Sequence, residues 1–235
     1  MTKLQYLGHS AFKVTSGKVV LLVDPFLSGS PTAKTTWQEA AKGVTHIALS
    51  HGHSDHVGDT LAVAEASGCT VVGMVELMGH LRAEMPELKT EEANLGGTVD
   101  LGGGVAVTLV PAFHSTGTGE DGLAYAGMPA GLVIHTPSSV IYHAGDTCLF
   151  GDMALIDELY QPDVGLLPIG GRYTMDAQAA ALACEHFFEF QTVVPMHYGT
   201  FPALARDAKA FEKACEAKKI PVLTMAVGEE IELDA

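Results

Sequence analysis

Four side chains of metal-binding type, His51, His53, Asp55 and His56, fall within six positions in the segment Ser50-His51-Gly52-His53-Ser54-Asp55-His56. Neutral imidazoles and a carboxylate are the ordinary ligands of zinc and related divalent ions, and a catalytic metal needs only a few of them plus an open position. Short histidine tracts commonly mark metal sites. The plainer alternative is a histidine-rich surface loop.

More residues of the same kind recur where strands are expected to end. His114 follows an expected strand at 105–110, Asp146 one at 140–143 and His197 one at 192–195. Strand-end loops are where a rigid scaffold presents functional groups. Taken singly, each has an ordinary reading, as a structural histidine or as a turn aspartate after Gly145. With the cluster they make seven candidate ligands.

The elements that must position them read as follows. Residues 4–7, 11–15 and 19–23 predict a three-stranded meander, whose third strand is apolar throughout and stops at Asp24-Pro25. Residues 26–36 are rich in turn formers and either line a pocket or cross the surface. A buried strand at 45–49 leads into the histidine cluster, a helix is expected at 57–66, a strand at 69–72 and a helix at 75–85. In the second half, strands are expected at 123–126, 131–136, 140–143, 164–168 and 192–195. Helices are expected at 152–160, at 175–188 capped by Thr174, and at 203–217, with short strands near Val222 and Ile231. Strands with helices outside them suggest two facing sheets flanked by helices.

Composition narrows the class. Of 235 residues, 47% are hydrophobic and 17% charged, enough apolar surface for a folded core. Thirteen basic against 28 acidic residues give a net charge of −15, which repels nucleic acid and anionic membranes, so neither is an expected partner. Cys69, Cys148, Cys184 and Cys215 form no C-x-x-C pair and read as ordinary reduced thiols. There is no apolar signal core near Met1 and no run approaching 18 apolar residues, so a cytoplasmic protein is expected. The expected partner is a small-molecule substrate, and a homo-oligomer is compatible with the chain.

The motif order Asp24, H-x-H-x-D-H, His114, Gly145-Asp146, His197 resembles the metallo-β-lactamase superfamily over essentially the whole chain. The phrases LGHSAF, DPF, GDT, LPIGG-x-YTM and PMHYGTFP look like its branch of metal-dependent hydrolases related to ascorbate-phosphate lactonases and N-acyl-phosphatidylethanolamine phospholipases. The resemblance implies a mixed α/β (α+β) fold, an αββα sandwich of two mixed β-sheets flanked by helices, as one domain over residues 1–235. It also implies that His51, His53 and His114 hold one metal, that Asp55, His56 and His197 hold a second, and that Asp146 bridges them. Asp24 would hydrogen-bond the ligand loop and fix its shape. Zinc is the first expectation for the two divalent ions, with manganese, iron or nickel as alternatives.

Two such ions about 3.5–4 Å apart can share a hydroxide, a nucleophile at neutral pH that would cleave a small ester, lactone or phosphodiester. Asp55 is the expected catalytic carboxylate, orienting that hydroxide or shuttling its proton. His9, in the Gly8-His9-Ser10 turn, is a candidate for contact with substrate or for support of a metal ligand, with a structural histidine as the alternative, and Arg172, in Gly170-Gly171-Arg172-Tyr173, is a candidate substrate contact, with a surface arginine as the alternative. Tyr198 is a weaker pocket candidate. His46, His80, His135, His143 and His186 read as structural.

Other chemistries fit less well. Gly117-Thr118-Gly119-Glu120-Asp121-Gly122 matches G-x-G-x-x-G but precedes an expected strand, not a helix, and carries two acids. No G-x-S-x-G elbow or phosphate loop occurs. A dioxygenase-like oxidoreductase on the same fold is an alternative, although the flavin-partnered diiron pattern resembles H-x-E-x-D-H and this chain has His53 at the Glu position. A non-catalytic metal-binding protein is another, although a decayed site would lack ligands and all seven candidates are present.

Overall fold

A computed structural model describes residues 1–119 and 122–233. Glu120 and Asp121 of the glycine-rich segment lie outside the described residues, as do Asp234 and Ala235. The chain begins with the expected antiparallel meander, β1 (Thr2–Gly8), β2 (Ala11–Ser16) and β3 (Val19–Val23). Then come α1 (Trp37–Ala40), β4 (His46–Ala48), α2 (Ser54–Val57), α3 (Thr60–Ser67), β5 (Thr70–Met74) and α4 (Val75–Glu84). The middle of the chain supplies β6 (Lys89–Ala93), β7 (Thr98–Gly102), β8 (Val105–Pro111), β9 (Ala130–His135) and β10 (Val140–His143). Last are α5 (Met153–Tyr160), β11 (Val164–Pro168), α6 (Ala177–Phe187), β12 (Thr192–Met196), α7 (Lys209–Glu216) and β13 (Glu230–Leu233).

Among the described residues the strands form a seven-stranded sheet, β13-β1-β2-β3-β4-β5-β6, and a six-stranded sheet, β12-β11-β10-β9-β8-β7. Both are mixed, so the expected α+β class with two sheets and flanking helices is what the chain adopts. Alternation along the strands divides the second sheet between two cores. Leu132, Ile141, Leu166 and Val194 join Leu21, Ile47 and Val72 of the first sheet and Leu77 and Leu81 of α4 in one cluster. Their neighbours Val133, Tyr142, Leu167 and Val193 join Ile156, Ala180 and Phe211 of α5, α6 and α7 in the other. A strand buried on both faces needs a continuous apolar run, which is what VGLLP at β11 supplies.

Strand direction decides where the chemistry falls. In the first sheet β1 and β3 are both antiparallel to β2, and β4 and β5 continue parallel to β3, so all four end at one edge. In the second, β8 and β10 are both antiparallel to β9, and β11 and β12 run parallel to β10. The residues just past these ends are His9, Asp24, Ser50-His51, His114, Asp146 and His197. Ligand sites at the carboxyl ends of strands are the rule in open α/β sheets.

Several expected elements are corrected. The helix expected at 57–66 is two pieces, α2 and α3, broken at Gly58, whose φ is +41°. A Cβ there would lie 2.5 Å from the Pro25 carbonyl oxygen. The helix expected from 175 under Thr174 begins at Ala177, because the Asp176 carboxylate accepts from the Gln178 and Ala179 amides at 3.0 and 2.8 Å while the Met175 amide bonds Thr147. The helix expected at 203–217 is only α7. Before it, the Ala205 amide bonds the Gly170 carbonyl and the Gly199 amide bonds the Ala205 carbonyl, so the chain is tied to neighbouring loops instead of to its own next turn.

The strand expected at 123–126 is reduced to one bridge between Thr118 and Ala124, since Leu123 and Tyr125 face outward, 82% and 63% exposed. Val222 likewise makes only a bridge, to Val193. Three elements had no expectation: α1, marked by the Thr36/Glu39 capping box, and the strands β6 and β7 at one edge of each sheet.

Candidate metal centre

The ligand loop is built from the outside in. Asp24 leaves β3 with φ +44° and is fully buried. Its Oδ1 accepts the Ser50 amide at 2.8 Å, and its Oδ2 accepts the Ser50 hydroxyl at 2.6 Å and His56 Nδ1–H at 2.7 Å. With its proton committed to Asp24, the Ser50 hydroxyl accepts from His51 Nδ1–H at 3.0 Å. Nδ1 of both histidines therefore carries hydrogen, which leaves Nε2, turned to the interior, as the atom a metal would take. Asp59 closes the back of the loop, its Oδ2 accepting the Leu27 and Ser28 amides at 2.9 and 2.8 Å. The loop at 26–36 thus packs behind the ligands and lines neither cleft at the centre.

All seven expected ligands converge. Candidate donor atoms fall into three overlapping groups, each mutually within 4.8 Å: His51, His53 and His114; His9, Asp55, His56 and His197; and His51, His56 and Asp146. Asp146 stands between the first two. Its Oδ1 is 3.3 Å from His56 Nε2, and its Oδ2 is 3.0 Å from His197 Nε2 and 3.5 Å from His114 Nε2. Candidate ligands from the first sheet, His51, His53, Asp55 and His56, thereby face candidates from the second, His114, Asp146 and His197.

The donor set fits divalent ions. His56 Nε2, Asp146 Oδ1 and His197 Nε2 are buried without a hydrogen-bond partner, a costly state for polar atoms that a bound cation would relieve. Protonation follows the same logic. Burial pushes His51, His53 and His114 below the usual histidine range, leaving them neutral. Burial also opposes a charge on His56 and His197, but Asp146 outweighs it, raising His197 to about 9 and His56 well above its ordinary value. Burial likewise opposes ionisation of Asp24, Asp55 and Asp146, and the surrounding histidines reverse it, with Asp24 at about 2 and the others below the usual carboxylate range.

His9 is fully buried, with φ +54°. Its Nε2 is 3.1 Å from Asp55 Oδ2, its Nδ1 2.9 Å from the Thr200 hydroxyl, and its carbonyl accepts the His197 amide at 2.9 Å. Burial lowers its pKa to about 4 against the bond to Asp55, so the ring is neutral, Nε2–H donates to Asp55, and Thr200 donates to Nδ1. His9 therefore braces Asp55 and the His197 turn from behind, the supporting role of its two expected ones and not the substrate contact. Arg172 has its surface reading here: it is exposed, its guanidinium 5.6 Å from the ring centre of Tyr173, and it lines neither cleft itself. Tyr198 packs against the second core, as its plainer reading had it.

Sequence reasoning missed Ser50 and Thr200, whose hydroxyls set tautomers, and the function of His143. That ring bonds the Ser10 carbonyl at 2.9 Å through Nε2 and accepts the Gly145 amide at 3.2 Å through Nδ1, joining the His9 and Asp146 turns. Its place two residues before Gly145 was the available signal.

Residues 20–198 match the family described as "Beta-lactamase superfamily domain". The chain belongs to the metallo-β-lactamase superfamily, as a metal-dependent hydrolase. It is 48% identical over 234 residues to a UPF0173 metal-dependent hydrolase of Chelativorans sp. (strain BNC1), covering 98% of this chain and 100% of the relative. A second relative, from Mesorhizobium japonicum, is 45% identical, covering 97% of this chain and 99% of its own. Among solved structures, Igni18, a metallo hydrolase from the archaeon Ignicoccus hospitalis, superposes with a TM-score of 0.87 at 37% identity, covering 98% of this chain and 97% of that one.

Proposed function

We propose that the chain is a dinuclear hydrolase that cleaves a small ester, lactone or phosphodiester. The observation that carries this reading is Asp146, which lies within 3.0–3.5 Å of ring nitrogens from both histidine groups. His51, His53 and His114 would hold one divalent ion, Asp55, His56 and His197 the other, and Asp146 both. Ions so held would lower the pKa of water and polarise the acceptor oxygen of the substrate.

The protein's own residues do the rest. Asp24 and Ser50 fix the ring planes of His51 and His56, so the donor atoms need no rearrangement when the site fills. Asp55 is partly exposed in the cleft, and its Oδ2 is engaged by His9. Held below the usual carboxylate range, Asp55 stays ionised and orients a water by accepting its hydrogen bond, a stronger role for it than storing a proton. Zinc is the first expectation for the metal, and a cytoplasmic enzyme acting on a small molecule, as monomer or homo-oligomer, the setting.

Elemental analysis of protein purified without added metal, followed by assay with that metal, tests the reading. Two equivalents per chain are expected, with loss of both metal and activity in His56→Ala and Asp146→Ala. Full activity in either variant would remove the dinuclear assignment, and oxygen consumption would replace hydrolysis by the redox alternative.

A further inference from the structure

Two clefts meet at His53 and Asp55, and what they lack is as informative as what lines them. The one over the centre, about 640 Å³, is walled beyond the ligands by Ser115, Tyr173, Phe201, Pro202, Ala203 and Leu204. Phe201 is 37% and Tyr173 55% exposed, so apolar ring surface is held open toward the centre's mouth. The other, about 820 Å³, is rich in glycine, and among the described residues its charged side chains are Asp55 and Glu84. Among the described residues neither cleft is lined by a lysine or arginine. The chain as a whole carries −15.

A phosphodiester brings an anionic charge that persists through reaction, and its free oxygens call for charge-assisted donors such as a bidentate arginine. No lysine or arginine along these walls would add to what the two ions supply, and the negative field of the chain outside the site opposes approach. A neutral carbonyl compound develops charge only on its acceptor oxygen, at the centre itself, while an apolar side group finds Phe201, Pro202 and Leu204 to pack against.

Resting on the hydrolase reading above, we infer that the substrate is a neutral carboxylic ester or lactone whose apolar side group occupies the cleft beside Phe201 and Leu204, with phosphodiesters disfavoured. In the reaction the acyl C–O bond breaks, the acyl carbon gains the water oxygen as a carboxylic acid, and the leaving oxygen takes the proton as an alcohol. A lactone gives both groups on one product.

The test uses the full chain loaded with the metal it carries when purified. Rates are measured on p-nitrophenyl acetate, butyrate and hexanoate, on a short and a long alkyl lactone, and on bis-p-nitrophenyl phosphate. The expected result is a rise in kcat/KM of roughly threefold to fourfold per added methylene, with the phosphodiester slower than every ester. Phe201→Ala should flatten the chain-length series, and Phe201→Arg should shift the ester-to-phosphodiester ratio toward the phosphodiester, both with unchanged metal content. A flat series in the unaltered protein, or a preference for the phosphodiester, would overturn this substrate class and leave the hydrolase reading standing. Metal-replete protein that cleaves nothing in the panel would overturn the hydrolase reading itself.

Discussion

The carboxylate of Asp24 takes three hydrogen bonds at 2.6–2.8 Å, two from Ser50 and one from His56, and through the Ser50 hydroxyl it governs His51 too. Removing it releases two candidate ligand rings at once without touching a donor atom. Asp24→Ala is expected to weaken metal binding by roughly 10- to 100-fold, measurable by competition with a coloured chelator; unaltered affinity would contradict the network. His197 makes a second prediction. Its pKa of about 9 in the folded, metal-free chain lies above the unfolded value. The stabilisation from its bound proton is thus complete below about pH 6.5 and is lost as pH rises through about 9. A metal held by His197 would have to displace that proton. Adding metal to chelator-stripped protein at neutral pH should therefore release protons, and affinity should rise with pH up to about 9. A potentiometric titration checks both.

Gly170 shows how an element edge governs a ligand. It follows β11, and a Cβ on it would lie 2.3 Å from the His197 carbonyl oxygen and 3.1 Å from His197 Nδ1, contacts that force one or the other to move. Gly170→Ala is expected to lower stability by about 1–3 kcal/mol and to cost metal in the group containing His197, read by thermal unfolding and elemental analysis together. The sequence made the site legible at this scale because the candidate residues follow strands whose apolar runs end abruptly, as LLV does at Asp24 and VVPM at His197. What stayed hidden was held by tertiary bonds that leave no local pattern. The 203–208 segment has helical composition, yet its backbone is tied to Gly170 and Gly199. The edge strand β6, KTEEA, pairs through its backbone on one side and carries too little apolar surface to announce itself. His9 was legible as a residue near the candidate ligands, but only burial and its bonds to Asp55 and Thr200 show that it faces them from behind.

At the scale of the whole chain, the centre gathers buried carboxylates and imidazoles that the apolar cores alone do not compensate. A ligand that binds only the folded state stabilises it by mass action. Chelator treatment should lower the thermal midpoint, and readdition of the native metal should restore it; a midpoint indifferent to chelation would contradict the donor set. Charge was legible from composition alone, whereas the apolar wall of the cleft was not, since Phe201, Pro202 and Leu204 look like ordinary loop residues until the turn after β12 folds back on Gly170.

His51, His53, Asp55 and His56 belong to one sheet, and His114, Asp146 and His197 to the other, with His143 joining their turns at the same edge. A metal held by both sets would act as a rivet across a hinge line. The two sheets could not part at that edge until the ion left, so the unfolding rate, and not only the equilibrium, would follow metal occupancy. In a cell short of the native metal, such a protein would first become short-lived, its abundance tracking metal supply through the protease that meets the opened form.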